Sequence, residues 1–320
     1  MKKVIFFITV ISLLLLLFFI AVTTGSLDVT FMQLIRGLFV TFDPVVAAIY
    51  DARFPRIFVA ILAGAGVSIA GLLFQSILKN PLADPGMMGI STSATVMSTL
   101  LLIIFPSFSH LMPFAAIFGA ILGFMMIYSL AYKDGANPTR FILIGIALNA
   151  LLMGILDVLS GIMGGSSIGS EMRMNFQNWR YVHLLLIYVG IGFVLAFLAA
   201  CSLNLMRLSD QTVASMGVSV NKQRFYIAFI GAVLVGVASG IVGPIPFLGL
   251  IVPHMAKLII GYDHKVLIPA TALLGALTFL FADTVGRTVM APHVISPSIV
   301  MAMLGGPLFI YLIRRNGHHV

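Results

Sequence analysis

The chain has 320 residues, of which 60% are hydrophobic and only 9% are charged, with a net charge of +8. Soluble domains carry about 45–50% apolar and about 25% charged residues, so this composition excludes a water-soluble enzyme, a disordered chain and a nucleic-acid-binding domain. Apolar runs of about 20 residues can cross a bilayer core of about 30 Å, and roughly ten fit in this chain. The composition therefore predicts an all-α polytopic membrane protein of about ten transmembrane helices.

Ten apolar runs follow one another along the chain. We interpret the first as an uncleaved span because it is longer than the apolar stretch of a signal peptide. The eighth is the weakest, being short and containing Pro253. Ten spans divide into two halves of five, and an odd number per half makes the halves inverted with respect to each other. The predicted runs are 4–22, 55–77, 87–105, 111–131, 140–162, 183–206, 225–243, 247–260, 267–286 and 298–313.

Lysine and arginine are unevenly distributed between the two sides of the predicted bundle. With both termini inside, twelve of the 18 basic residues face the cytoplasm and six face outward. Because cytoplasmic loops carry the excess of lysine and arginine, the sequence predicts that both termini are cytoplasmic. The six outward residues are Arg36, Arg53, Arg56, Arg173, Arg180 and Arg287.

Three charged residues lie within or beside predicted spans, where burial of a charge is costly. Asp283 and Arg287 are four residues apart on one face of the ninth span, so we predict a structural ion pair between them. Asp157 has no basic neighbour nearby in the fifth span, which also carries Asn149. Asp157 faces either a water-filled pathway or a partner elsewhere in the bundle.

Two arginines, Arg53 and Arg56, lie three residues apart at the outer start of the second span. One interpretation is that they extend from the span toward the membrane interface. The other is that they form, together with Arg287, a docking site for an acidic partner, since complementary charge orients partners and speeds their encounter.

The longest polar segment on the cytoplasmic side is residues 207–222. Asp210 can cap a short helix through Ala214 and Met216, and Gly217 can end it in a left-handed conformation. Such a helix outside the bilayer is suited to contact with another protein, although an idle surface loop is the alternative.

Catalytic motifs are absent from the sequence. It contains no phosphate-binding G-x-x-x-x-G-K-[ST] loop and no H-E-x-x-H pair. The single cysteine, Cys201, cannot form an internal disulfide, and no Cys/His cluster has metal-ligand spacing. We therefore expect neither enzymatic activity nor a metal or cofactor bound by this chain.

Several motifs occur in a defined order along nearly the whole chain. RFPR at 53–56 opens the second span, and KNPLADPG at 79–86 follows it. GIALN at 145–149 lies in the fifth span, and GPIPFLGLIVPH at 243–254 precedes GYDHK at 261–265. In this order and at these intervals, they resemble the motifs of FecCD-type permeases, the membrane subunits of ATP-driven importers for iron-siderophore complexes, haem and vitamin B12.

The sequence departs from this family's pattern at two places on the outer side. The family usually carries a glutamate and a P-V-G before the last span, where this chain has Val294 and then Ser296, Pro297 and Ser298. The usual W-x-x-G-S before the sixth span is represented by Trp179-Arg180-Tyr181 without the Gly-Ser. These differences concern partner docking and substrate rather than the fold.

The resemblance implies a single permease domain over residues 1–320 in the bacterial cytoplasmic membrane. It implies pairing with a second copy or a paralogue, two ATPase subunits that bind ATP-Mg on the cytoplasmic face, and a substrate-binding protein outside. The cargo expected first is an iron-siderophore complex, with haem or cobalamin as alternatives.

The resemblance also implies roles for individual residues. Arg53, Arg56 and Arg287 would dock the binding protein, and a loop at about 207–224 would couple to the ATPase. The fifth and tenth spans would line the translocation pathway, with Asn149 and Asp157 as candidates. Within the coupling loop the residues implied are Asp210, Ala214, Met216 and Gly217.

A secondary transporter driven by an ion gradient is the competing interpretation. It would need a carboxylate within the membrane that titrates or binds sodium, and Asp157 is the unpaired candidate in the sequence. Asp157→Asn should abolish transport in such a protein and be tolerated in a permease that moves a pre-bound chelate.

Overall fold

The computed structural model describes residues 2–24, 33, 43–131, 138–162, 174, 177–290 and 293–316. Within these ranges the chain forms twelve α-helices and no β-strand, which confirms the predicted all-α class. A 3₁₀ helix (Pro106–Leu111) joins α3 to α4. The helices are α1 (Lys2–Thr23), α2 (Pro44–Ile77), α3 (Ile90–Ile104), α4 (Met112–Ala131), α5 (Pro138–Ile162), α6 (Trp179–Leu198), α7 (Ala200–Leu205), α8 (Asp210–Ser215), α9 (Val220–Val242), α10 (Leu248–Ile260), α11 (His264–Thr288) and α12 (Pro297–Asn316).

Eleven of the twelve helices correspond in order to the ten predicted apolar runs, because α6 and α7 together form the sixth. Among the described residues, seven helices are long and apolar enough to cross a membrane, and three shorter apolar helices, α3, α10 and α12, complete the set. The second run begins earlier than predicted, because α2 continues through Pro55 instead of starting there. Transmembrane helices tolerate proline where neighbouring groups satisfy the freed backbone carbonyl.

The centre of the bundle is α2, which packs against α6, α9, α10 and α11. Its side chains Leu72, Leu73 and Phe74 are completely buried. The backbones of α2 and α10 approach so closely at Gly71 that a Cβ built there would lie 1.9 Å from the carbonyl oxygen of Gly249. Small residues at such contacts let helices pack in lipid, where no hydrophobic effect drives them together.

Two of the shorter helices begin in the same way in the two halves of the chain. The residue before α3 is Gly89, with φ of +82°, and the residue before α10 is Phe247, with φ of +63°. Gly89 lies against Asn149 of α5, and Phe247 lies against Gly305 of α12. Each of these left-handed turns therefore seats a short helix against the last helix of its own half.

Candidate functional site

The segment between α7 and α9 contains the short helix α8, as predicted. Its N-cap is Ser209, whose Oγ accepts a hydrogen bond from the Thr212 N–H at 3.2 Å. The prediction that Asp210 caps the helix is therefore wrong: Asp210 is the first helical residue, and its carboxylate is engaged elsewhere. Gly217 follows the helix with φ of +80°, the conformation expected for it.

The surface of α8 is mostly exposed. Only Val213 is buried, whereas Ala214 and Met216 are exposed, Met216 to 56%. An exposed methionine is available for contact with another protein. The coupling role of these residues remains a prediction.

The carboxylate of Asp210 connects α8 to the rest of the bundle. It forms ion pairs with Lys79 Nζ, just after α2, at 2.7 Å and with Arg224 Nη2 of α9 at 2.9 Å. Arg224 is buried, and its Nε donates to the Ile77 carbonyl oxygen at 3.1 Å. Partial burial acts to raise the pKa of Asp210, but the hydrogen bonds and charges of Lys79 and Arg224 outweigh it and lower that pKa below its ordinary value.

Sequence reasoning missed Lys79 and Arg224 as members of this site. Lys79 lies in the motif at 79–86, but nothing local to it shows that its ammonium reaches a loop 131 residues later. The three-residue contact ties α8 to α9 and to the residue just after α2.

On the other side of the bundle, Asp283 lies between two arginines and is completely buried. Its carboxylate contacts Arg56 Nη2 of α2 at 2.7 Å and Arg287 Nε of its own helix at 3.1 Å. The structure thus places Arg287 where the predicted ion pair requires it, and adds Arg56 as a second and closer partner. Arg53 Nη1 donates to the Val22 carbonyl oxygen of α1 at 2.8 Å.

The burial of this arginine cluster differs from what the sequence suggested. Arg53 and Arg56 retain only 9% and 8% of their accessible surface, and the Arg287 side chain retains 10%. In this structure the three side chains therefore join α1, α2 and α11 and do not form an exposed patch. Their role in docking remains a prediction.

The two predicted pathway residues have different surroundings in α5. Asn149 is half-buried, and its Oδ1 accepts a hydrogen bond from Thr92 Oγ1 of α3 at 2.5 Å. Asp157 is exposed, with no hydrogen bond or ion pair to any part of the chain that the structure describes. The structure does not bring these residues together, and both remain predictions as pathway residues.

The two departures from the family motifs take part in packing. Val294 is half-buried, and Ser298 Oγ donates to the Pro244 carbonyl oxygen at 2.7 Å, which ties the start of α12 to the turn before α10. Trp179 begins α6 and packs at a tilt against Tyr50 and Phe58 of α2, with its ring centroid 5.0 and 5.9 Å from theirs. Arg36 and Arg173, predicted on the outer side, lie outside the described residues.

Comparison with known proteins decides the family. The profile of the FecCD transport family matches residues 13–315. The chain belongs to the FecCD transport family. As a member it is the permease type of ABC transporter subunit, which is not itself an enzyme and works with ATPase and substrate-binding partners.

Relatives and solved structures agree with this FecCD assignment. The chain is 31% identical over 315 residues to the probable heme-iron transport system permease protein IsdF of Staphylococcus aureus, covering 98% of this chain and 97% of that protein. A structure described as a metal-chelate type ABC transporter, in an inward-facing conformation, superposes with a TM-score of 0.79 at 25% identity over 97% of this chain and 99% of the other.

A more distant structure, PsaBC from Streptococcus pneumoniae in complex with Fab, has a TM-score of 0.60 at 16% identity. It covers 89% of this chain and 95% of the other chain, and at this identity it supports the fold alone. The family resemblance predicted from the motifs is thus confirmed.

Proposed function

We propose that this FecCD permease imports an iron chelate through the bacterial plasma membrane. The family match over residues 13–315 carries the proposal, and the full-length similarity to a permease named for heme-iron transport makes haem the first cargo to test. Iron-siderophore complexes, expected first from the sequence, are tested beside it, and cobalamin is the third candidate.

The proposed assembly contains two permease copies, or this chain with a paralogue, and two ATPase subunits that hold ATP-Mg below them. The large exposed apolar side chains of α5 and α12 support pairing: Leu151, Val158 and Met303 are 61%, 65% and 70% exposed in the single chain. Both termini and α8 lie on the cytoplasmic side in this arrangement, and a substrate-binding protein docks on the opposite face.

In the proposed mechanism this chain supplies movement and no chemical step. ATP-driven closure of the ATPase pair displaces α8, and the contacts of Asp210 with Lys79 and Arg224 carry the displacement to α2 and α9. Within the membrane, closely packed helices then move as units, because packed interiors deform little. The rocking of the two permeases then opens the path for the chelate.

The uptake experiment tests cargo and energy source together. Cells with and without this chain are given labelled haem, ferric siderophores and cobalamin, under ATP depletion and separately under a protonophore. We expect uptake of one ligand to depend on the chain and to fall at least about tenfold on ATP depletion while surviving the protonophore. Uptake that follows the proton gradient at high ATP would contradict the proposal.

Substitution of Asp157 distinguishes an ATP-driven permease from a transporter driven by an ion gradient. Because this carboxylate is exposed and has no partner in the described structure, Asp157→Asn should change ATP-dependent uptake by less than about twofold. The same assay with Asn149→Ala, which loses the hydrogen bond to Thr92, serves as a comparison on the same helix. Loss of all uptake in Asp157→Asn alone would support a titrating carboxylate.

Docking of the binding protein by the arginine cluster is tested at Arg53. Arg53→Gln keeps a donor for the Val22 carbonyl but removes the charge, and we expect the affinity for the binding protein to fall roughly fivefold. Arg180→Gln, an exposed arginine predicted on the same side, is the control and should have no effect. Equal affinities of the wild type and Arg53→Gln for the binding protein would show that Arg53 is not part of the docking site.

A further inference from the structure

A cavity of about 410 Å³ opens on the cytoplasmic side between α10 and the start of α11. Its size lies within the range of about 300–1,000 Å³ that is typical of small-molecule sites. Three of its lining side chains are the cations Lys79, Arg207 and Lys257, two more are the histidines His254 and His264, and no carboxylate lines it. The remaining lining is polar or apolar, so the interior favours a negatively charged occupant.

Two of these cations, Arg207 and Lys257, have no acidic partner within the described ranges. The Arg207 guanidinium lies over the Tyr262 ring, 5.0 Å from its centroid. Lys257 Nζ donates to the neutral Gln75 Oε1 at 2.7 Å. Asp263, at the start of α11, instead accepts hydrogen bonds from Asn204 Nδ2 at 2.9 Å and from the Lys265 N–H.

The wall of the cavity is fixed by hydrogen bonds among four helices, α2, α7, α10 and α11. His264 is bonded through both ring nitrogens, at 2.8 Å to Asn204 Oδ1 and at 2.8 Å to Ser76 Oγ. Gln75, whose Oε1 accepts the hydrogen bond from Lys257, also donates through Nε2 to the Leu250 carbonyl oxygen at 3.0 Å. Lys257 is therefore held on a prearranged frame, which lowers the cost of ordering it around a ligand.

Exposed apolar side chains flank the cavity. Leu258, in the last turn of α10, and Tyr262, just after that helix, line it and are 63% and 53% exposed, and Ile259 next to Leu258 is 51% exposed. Cations beside exposed apolar side chains match a ligand with an anionic head and hydrocarbon chains. Basic pockets between transmembrane helices on the cytoplasmic side bind such headgroups.

We propose that this cavity binds a phosphate oxyanion through Arg207 and Lys257, carried by the headgroup of an anionic phospholipid. Guanidinium and ammonium groups are the side chains that recognise phosphate in proteins. Lys79 joins the cavity to the contact with Asp210, so an occupied site would lie directly beside the segment proposed to meet the ATPase. The inference is independent of the chelate carried.

The test uses the purified full chain and native mass spectrometry. The chain is titrated with phosphatidylglycerol and, separately, with phosphatidylcholine, and each is repeated with millimolar glycerol phosphate as competitor. We expect phosphatidylglycerol to bind in preference to phosphatidylcholine. Arg207→Gln/Lys257→Gln should weaken phosphatidylglycerol binding by about tenfold or more, since two charge-assisted contacts are lost.

Two further double variants control for charge and folding. Lys222→Gln/Arg314→Gln removes the same charges from exposed residues outside the cavity and should bind like wild type. Arg207→Lys/Lys257→Arg keeps both charges and should retain binding within about threefold. Unchanged binding in Arg207→Gln/Lys257→Gln would overturn the proposal, as would equal binding of both lipids by wild type.

The same titration distinguishes a free phosphate compound from an intact phospholipid as the ligand of the cavity. Displacement of the lipid by glycerol phosphate supports a site for the phosphate group itself, and retention supports the intact lipid headgroup as its ligand. The titration is repeated on the complex with the ATPase subunits. Loss of phosphatidylglycerol binding in this complex would overturn the lipid assignment. It would indicate that Arg207 and Lys257 contact acidic residues of the ATPase instead.

Discussion

Replacing Asp283 by Asn should nearly abolish the folded protein in the membrane. In the wild-type chain the buried guanidinium groups of Arg56 and Arg287 lie 2.7 and 3.1 Å from the Asp283 carboxylate. The substitution leaves both groups without a compensating charge. Removing one partner of a buried ion pair costs about 3–5 kcal/mol, a large part of the stability of a typical domain. Fluorescence-detected size-exclusion chromatography of detergent extracts measures the loss as a missing monodisperse peak.

A second substitution shows whether charge is the cause. Arg56→Gln/Asp283→Asn restores the native net charge of the cluster and should recover part of the folded yield. Asp157→Asn, which neutralises an exposed acid in α5, should leave the yield unchanged. If Asp283→Asn gave wild-type yield and thermal stability, the cluster would not be the anchor between α2 and α11 that its geometry indicates.

Reversing the charge at Asp210 should uncouple transport from ATP without preventing folding. Asp210→Lys places a third cation beside Lys79 and Arg224, whose ion pairs at 2.7 and 2.9 Å tie α8 to α2 and α9. Because α8 is largely exposed, the protein should still insert and fold, whereas ATP-dependent uptake should fall at least about tenfold. The comparison is Gln211→Lys, which adds a positive charge at the neighbouring exposed position.

The readouts for Asp210 are uptake and retention of the ATPase subunits on the purified permease. Uptake that is lost to the same extent in Gln211→Lys would mean that any added charge on α8 disrupts the contact. Wild-type uptake in Asp210→Lys would contradict the coupling role of this carboxylate, and retention of the ATPase after deletion of 210–217 would place the coupling segment elsewhere.

The ion pairs of Asp210 also predict a pH range. The pKa of Asp210 is lowered, so the carboxylate stays charged down to below the ordinary range near 4, and its stabilising contribution is lost only as the pH falls through the lowered value. Retention of the ATPase that depends on Asp210 should therefore be constant between pH 7 and about 5.

The sequence by itself determined the fold class, the ten apolar helices and the family. These follow from properties that are local along the chain: the length of apolar runs and motifs at fixed intervals. The short helix α8 and the left-handed Gly217 were predicted for the same reason, because capping and turn preferences act over a few residues.

Only the tertiary structure decided which charges meet. Asp283 pairs with Arg56 across 227 residues, and Asp210 pairs with Lys79 across 131 residues. Helical spacing shows that Asp283 can reach Arg287, but it carries no information on what a neighbouring helix presents. The burial of the outer arginines and the basic cavity between α10 and α11 arise from helix packing, because a side chain's exposure depends on the elements around it, and those come from distant parts of the chain.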